Sequence, residues 1–143
     1  MISYSRLTGP AMRDHTQLVR LIRQLSSAPR ELTFSDLHFT AITHVLLVAR
    51  DDEQDGQIVG TALLVTIHSL SHVSGHIEDV VVDETHRGRG IGRELTRQLI
   101  AHARNNGIER IDLCSEPERE SANRLYLSLG FTPRETNLYR LKL

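Results

Sequence analysis

Gly88, Gly90 and Gly92 alternate with Arg87, Arg89 and Ile91 in the segment THRGRGIGREL. Glycine accepts positive φ angles at little steric cost, so a turn of this composition can aim several backbone N–H groups at one point. An apolar, β-branched run, Ile77 to Val82, precedes the glycines, and apolar residues at helical spacing follow from Ile91. A strand entering a helix through such a turn offers an anion the loop amides, the unpaired donors of the first helical turn and the positive end of the helix dipole. The implied ligand is a phosphate or pyrophosphate. The ATP-binding loop is excluded, because no Gly-Lys pair occurs in the chain. The dinucleotide fingerprint GxGxxG fails as well, because Arg93 stands where its third glycine belongs. What remains is R-x-x-G-x-G, supplied by Arg87, Gly90 and Gly92.

Just upstream, Glu78 and Asp79 interrupt the apolar strand. Unpaired carboxylates in such a setting are costly, so the pair needs a role. Strand alternation places the two on opposite faces. His68, His72 and His76 are spaced by four, which on a helix would make a metal face. Here they bracket a loop between strands, with no cysteine or carboxylate to complete a ligand set, so no metal is expected. They are read instead as bordering a pocket or the surface, with His76 able to orient Glu78 along one strand face.

The elements that must position these residues are legible from periodicity. Ile2 to Leu7 reads as a first strand, closed by Gly9-Pro10. Asp14 offers an N-cap, with Gln17 three residues on, to a helix carrying Leu18, Leu21, Ile22 and Leu25. Leu32 to Ile42 reads as a second helix with Leu37, Ala41 and Ile42 toward a core. Residues 44–50 and 57–67 form an antiparallel hairpin across the acidic turn DDEQDG. After the glycines, Ile91, Leu95, Leu99 and Ala103 mark one helix face, with Arg93, Arg97 and Arg104 opposite and Gly107 as the cap. Ile108 to Cys114 follows as a strand, joined to the organising strand by a right-handed parallel crossover. A short helix, SANRLYLSLGF, ends at Gly130, and the tail alternates as a terminal strand near Asn137 to Leu143, with room for a short strand before it.

At 143 residues the chain is expected to be a single domain, residues 1–143, that buries one core. The net charge of −1 argues against nucleic acid, and apolar runs of a few residues fall short of the roughly 20 needed to span a bilayer. A cytoplasmic protein is expected. Basic residues gather instead around positions 87–97 and 104–110, as an anionic cofactor would favour. Cys114 is the one cysteine, which excludes an internal disulfide, and its place in the run IDLC predicts a buried strand residue.

Strand, R-x-x-G-x-G loop and helix together resemble the acyl-CoA pyrophosphate loop of the GNAT superfamily of N-acetyltransferases. The order of elements matches along the chain, although only residues 76–92 and 121–131 are specific. The resemblance implies an α/β GNAT fold: a single mixed sheet of six or seven strands, splayed in the middle, with about four helices. It implies acetyl-CoA as cosubstrate, held by Val80, Val81, Val82 and the loop Arg87, Gly88, Arg89, Gly90, Ile91 and Gly92, with Asn123 and Tyr126 also contacting it. The N–H of Val80 or Val81 would be the oxyanion donor, and Tyr126, in NRLYLSLGF, the acid for the departing thiolate. A phenol near pKa ~10 can protonate a thiolate near ~8.5 if the site stabilises the thiolate slightly.

A protonated amine cannot attack, and Glu78 is the candidate base or amine anchor, with Asp79 at the substrate site or salt-bridged to an arginine. The run GHIEDVVVDETHRGRG is similar in particular to glucosamine 6-phosphate N-acetyltransferases, although Thr66, Ile67 and His68 stand where that group carries a lysine. The expected reaction is direct acetyl transfer to the primary amine of a small molecule, an amino sugar or another amine. Transfer to a peptide or protein amine, or non-catalytic sensing of acyl-CoA, are the alternatives. A homodimer through the terminal strand is implied by analogy only.

Overall fold

The computed structural model describes all of residues 1–143. The chain divides into two compact units, Met1–Leu113 and Cys114–Leu143. In the first, strands β1 (Ile2–Arg6), β2 (Val45–Asp51), β3 (Gln57–His68), β4 (Val73–Val82) and β5 (Arg110–Asp112) form one mixed sheet in the order β1-β2-β3-β4-β5. The first three junctions are antiparallel; β4 and β5 run parallel, joined by the crossover that sequence order predicts.

Helices α1 (Met12–Leu25) and α2 (Phe34–Thr43) cover one face of the sheet. Leu18 and Leu21 of α1 and Leu37 and Ala41 of α2 bury against Leu46, Val48, Ile58, Leu63 and Val81. Helix α3 (Ile91–Asn105) covers the other face, and Ile91, Leu95, Leu99 and Ala103 are buried as the four-residue repeat predicts. It lies close on β3 because position 60 has no side chain: a Cβ there would stand 3.0 Å from Ile91 Cγ2 and 3.2 Å from Leu95 Cδ1.

The first helix begins earlier than expected. Its N-cap is Ala11, and Asp14 sits in the first turn, where its carboxylate accepts from Ala11 N–H at 2.8 Å and pairs with Arg50 at 2.8 Å. Gln17 does not complete a box; its amide oxygen accepts from Ile58 N–H at 2.8 Å, beside the irregularity between Ala49 and Arg50. In α2 a capping box forms between Thr33 and Asp36, while Ile42, expected in the core, is exposed.

In the second unit, α4 (Glu120–Ser128) ends as its sequence predicts. Gly130 adopts φ +96°, its N–H donates to Leu127 O, and Phe131 N–H donates to Tyr126 O. That is a left-handed helix cap, and the Tyr126 and Phe131 rings pack edge to face across it. Two expectations fail. The sheet has five strands, not six or seven, because residues 129–143 form no strand. Alternation in NLYRLKL supplies the pattern but no partner for a ladder, and Leu138, Tyr139, Leu141 and Leu143 stand exposed. Cys114 is exposed too, since β5 stops at Asp112. No helix is long and apolar enough to cross a membrane.

Candidate active site

The glycine loop sits at the C-terminal end of β4. A single turn of 3-10 helix, Glu84–His86, follows Asp83, and Arg87 to Gly90 lie exposed before α3. Gly88 and Gly90 adopt φ +76° and +77°, and a Cβ at either would meet nothing within 4 Å. Conformation, not crowding, therefore demands glycine there. Gly90 is the N-cap of α3, Ile91 its first residue and Gly92 its second, so the first-turn amides of α3 lack intrahelical acceptors and open onto the loop. Arg87 Nε donates to Val82 O at 3.1 Å, which folds the loop back on the strand that feeds it. The arrangement suits a diphosphate: left-handed glycines, helix N-terminal donors and arginines at one exposed turn.

A buried polar cluster holds the base of this loop, and its members were not singled out from sequence. Asp83, only 3% exposed, has one carboxylate oxygen accepting from Thr85 Oγ1 (2.6 Å) and Thr85 N–H (3.1 Å). The other accepts from Gln24 at 3.1 Å and from Arg20 of α1. Burial pushes the Asp83 pKa up, but the hydrogen bonds from Thr85, Gln24 and Arg20 outweigh it and leave it well below the usual carboxylate range. His86, also buried, reaches Asp51 Oδ2 at 3.0 Å and Thr85 Oγ1 at 2.8 Å. The only signal in the sequence was position: Asp83 directly after the strand and a histidine inside the loop.

Before the loop, β4 is irregular. Thr61 pairs with Val81 and Leu63 with Glu78, so Ala62 alone opposes Asp79 and Val80. This is a β-bulge, and Asp79 takes φ +53°, a left-handed conformation that Asp tolerates better than most residues. On the other edge, β5 pairs with β4 only at Ser74, Gly75 and His76, so the backbone from Ile77 to Val82 has no strand partner on that side. The strands part there, as a splayed sheet requires.

Alternation predicted opposite faces for Glu78 and Asp79, but the left-handed bulge changes this. Glu78 shares a face with its register partner Leu63, and the Asp79 side chain lines the same cavity as Leu63. Glu78 Oε1 lies 3.2 Å from His76 Nε2, along the strand face as the spacing suggested. Asp79 opens to solvent at the cavity mouth yet is flanked by protein on most sides. That burial raises its pKa, with the Glu78 charge adding to the shift and Arg30 opposing it. His72 is engaged elsewhere, with Ser69, Ser71 and Arg110.

In the second unit, Tyr126 is buried, and burial raises its pKa against the opposing charge of Arg119. The phenol therefore stays protonated throughout the neutral range. The Asn123 side-chain amide donates to Glu116 O at 3.0 Å, tying α4 to the segment before it.

The model of the family described as Acetyltransferase (GNAT) family matches residues 14–131. Glucosamine 6-phosphate N-acetyltransferase 1 of Oryza sativa subsp. japonica is 31% identical over 126 residues, covering 82% of this chain and 74% of the rice protein. A mycothiol acetyltransferase of Beutenbergia cavernae is 30% identical over 131 residues, covering 87% of this chain and 43% of that longer protein. Among solved structures, an acetyltransferase of Trypanosoma brucei superposes with a TM-score of 0.81 over 100% of both chains at 29% identity.

Proposed function

The chain belongs to the acetyltransferase (GNAT) family, and from that premise we propose that it transfers an acetyl group from acetyl-CoA to a primary amine of a small molecule by direct attack. The observation that carries this reading is the cradle at Arg87–Gly92, with two left-handed glycines leading into the N-terminus of α3 at the end of a strand whose outer edge is open. When bound there, acetyl-CoA supplies an activated acyl group as a thioester.

The residues divide the work. Backbone amides of Gly88 to Gly92, with Arg87 and Arg89 alongside, hold the diphosphate; Val80, Val81 and Val82 present the strand edge to the pantetheine arm. The N–H of Val80 or Val81 donates to the oxyanion, and one such donor is worth about 3 kcal/mol in other acyl-transfer enzymes. Glu78, with His76 at its side, takes the proton that the ammonium must lose before attack. Tyr126 gives its phenolic proton to the departing thiolate, an assignment supported by the NRLYLSLGF motif and by a phenol kept protonated. Asn123, one helical turn earlier, is assigned to the cofactor. The rice relative is named for N-acetylation of glucosamine 6-phosphate and the Beutenbergia relative for acetyl transfer involving mycothiol, both small molecules, which supports a small-molecule acceptor. Incubation with acetyl-CoA and a panel of primary amines, reading free thiol, tests the proposal; thiol release that no amine accelerates above hydrolysis refutes it.

A further inference from the structure

The cavity beside Asp79 has a volume of about 310 Å³ and lies between α1, α2 and the sheet. Its walls are Leu18, Ile22, Leu32, Leu37, Leu46 and Leu63; the remaining lining residues are Arg30, Thr40, Thr61 and Asp79. Two of those four polar groups are already committed. The Thr61 hydroxyl donates to Leu47 O at 2.9 Å, and Arg30 lies 3.5 Å from the Asp36 carboxylate with its side chain 73% exposed at the rim. The Asp79 carboxylate, by contrast, makes no hydrogen bond and no ion pair within the protein, although a left-handed backbone holds it at the cavity wall. Asp79 is exposed at the mouth of the cavity, and with no protein partner its carboxylate is open to a ligand seated against the apolar walls.

The charge balance sets the sign of that ligand. Arg30 is the only cation lining the cavity and Asp36 already answers it, so Asp79 leaves the site net negative, with Glu78 next to it. A phosphorylated sugar would bring about two negative charges to this cavity. Its hydroxyls would also lie against leucine and isoleucine side chains that cannot hydrogen-bond. An ammonium meets the free carboxylate, and an apolar body fills the rest.

We propose that the acceptor is a primary amine with an apolar body, its ammonium held by Asp79 and its hydrocarbon packed among Leu18, Ile22, Leu37, Leu46 and Leu63, in preference to a phosphorylated sugar. The fate of the amine rests on the acetyl-transfer reading; its binding does not.

Calorimetric titration without acetyl-CoA therefore tests the two separately. The probes are 2-phenylethylamine, its neutral analogue 2-phenylethanol and glucosamine 6-phosphate, against the wild-type protein and Asp79→Asn, since Asn keeps the left-handed backbone. The wild-type protein is expected to bind 2-phenylethylamine at least tenfold more tightly than 2-phenylethanol, and Asp79→Asn to lose that difference while still binding 2-phenylethanol. Glucosamine 6-phosphate is expected to bind at least tenfold more weakly than 2-phenylethylamine. Tighter binding of the sugar phosphate overturns the proposal, and so does a preference for amine over alcohol that survives in Asp79→Asn. If the amine binds as described but is not acetylated, the acetyl-transfer reading fails and the pocket assignment stands.

Discussion

His86 Nε2 lies 3.0 Å from Asp51 Oδ2, with both side chains buried, and so ties the turn before the glycine loop to the end of β2. The hydrogen bond from His86 is the largest influence on the Asp51 pKa and lowers it, against the smaller opposing effect of burial. Replacing His86 with Ala removes that partner and frees the loop base. We expect acetyl-CoA affinity to weaken by up to about 10²-fold, the scale of loss that a misplacement of about 1 Å brings to catalysis in a positioned site. Unchanged affinity in an equilibrium titration would show that the loop holds its shape without the imidazole.

Asp83 makes the fold sensitive to acid. Its folded pKa lies below its unfolded value of ~3.9, so it contributes stability that is fully present above that value and lost as pH falls through the folded one. Asp83→Asn is therefore expected to lower Tm at pH 7, with the gap from wild type closing as the pH falls below ~4. A gap that stays constant from pH 7 to pH 2 would contradict the charged role.

Gly90→Ala places a Cβ on a residue at φ +77°. The strain is about 1–2 kcal/mol, and because nothing crowds the position, relief comes only by turning the loop amides away. Stability and acetyl-CoA affinity are both expected to fall. Ala substituted at the exposed Gly9, where φ is not positive, serves as the control that leaves affinity intact.

Tyr126→Phe keeps the ring against Phe131 and deletes the proton. Turnover is expected to fall about 10²-fold, the usual scale for a positioned acid, with acetyl-CoA affinity nearly intact. Because the phenol pKa is raised, wild-type activity should show no loss from its ionisation below pH ~10. Full turnover in the Phe variant rules out the acid role.

Glu78→Gln is expected to flatten the rise of rate with pH, since the amide cannot take the ammonium proton. A pH–rate profile of kcat/KM for both proteins is the measurement, and a superimposable profile would remove Glu78 as base.

Where the chemistry is local, the residues alone were enough to read it. The loop, the strand before it and α3 follow from glycines and a four-residue apolar repeat, and the cap at Gly130 follows from the order Leu-Gly-Phe. What depends on distant partners was not legible. Asp14 looks like a cap until Arg50, 36 positions away, takes its other oxygen. Asp83 and Arg20 are 63 positions apart and neither stands in a motif. The tail residues Leu138 to Leu143 alternate like a strand, yet pairing is a property of two segments and no neighbour pairs with this one. The cavity, too, is lined from α1, the connection at residues 30–32, α2, β2, β3 and β4, and its apolar members each read on their own as ordinary core.

The extra residue in β4 has a further consequence. Ile77 pairs with Leu64 and Glu78 with Leu63, yet Val81, an even count of positions beyond Ile77, shares the core with Leu63 on the opposite side. The bulge thus works like a frameshift in the strand. Deleting one residue between Glu78 and Val81 would leave Val81 opposite Thr61 on the face it now holds, but it would straighten the strand and erase the left-handed backbone at Asp79. A one-residue deletion here is therefore expected to leave the valines that lead into the loop facing as they do, while taking the Asp79 carboxylate away from the cavity wall.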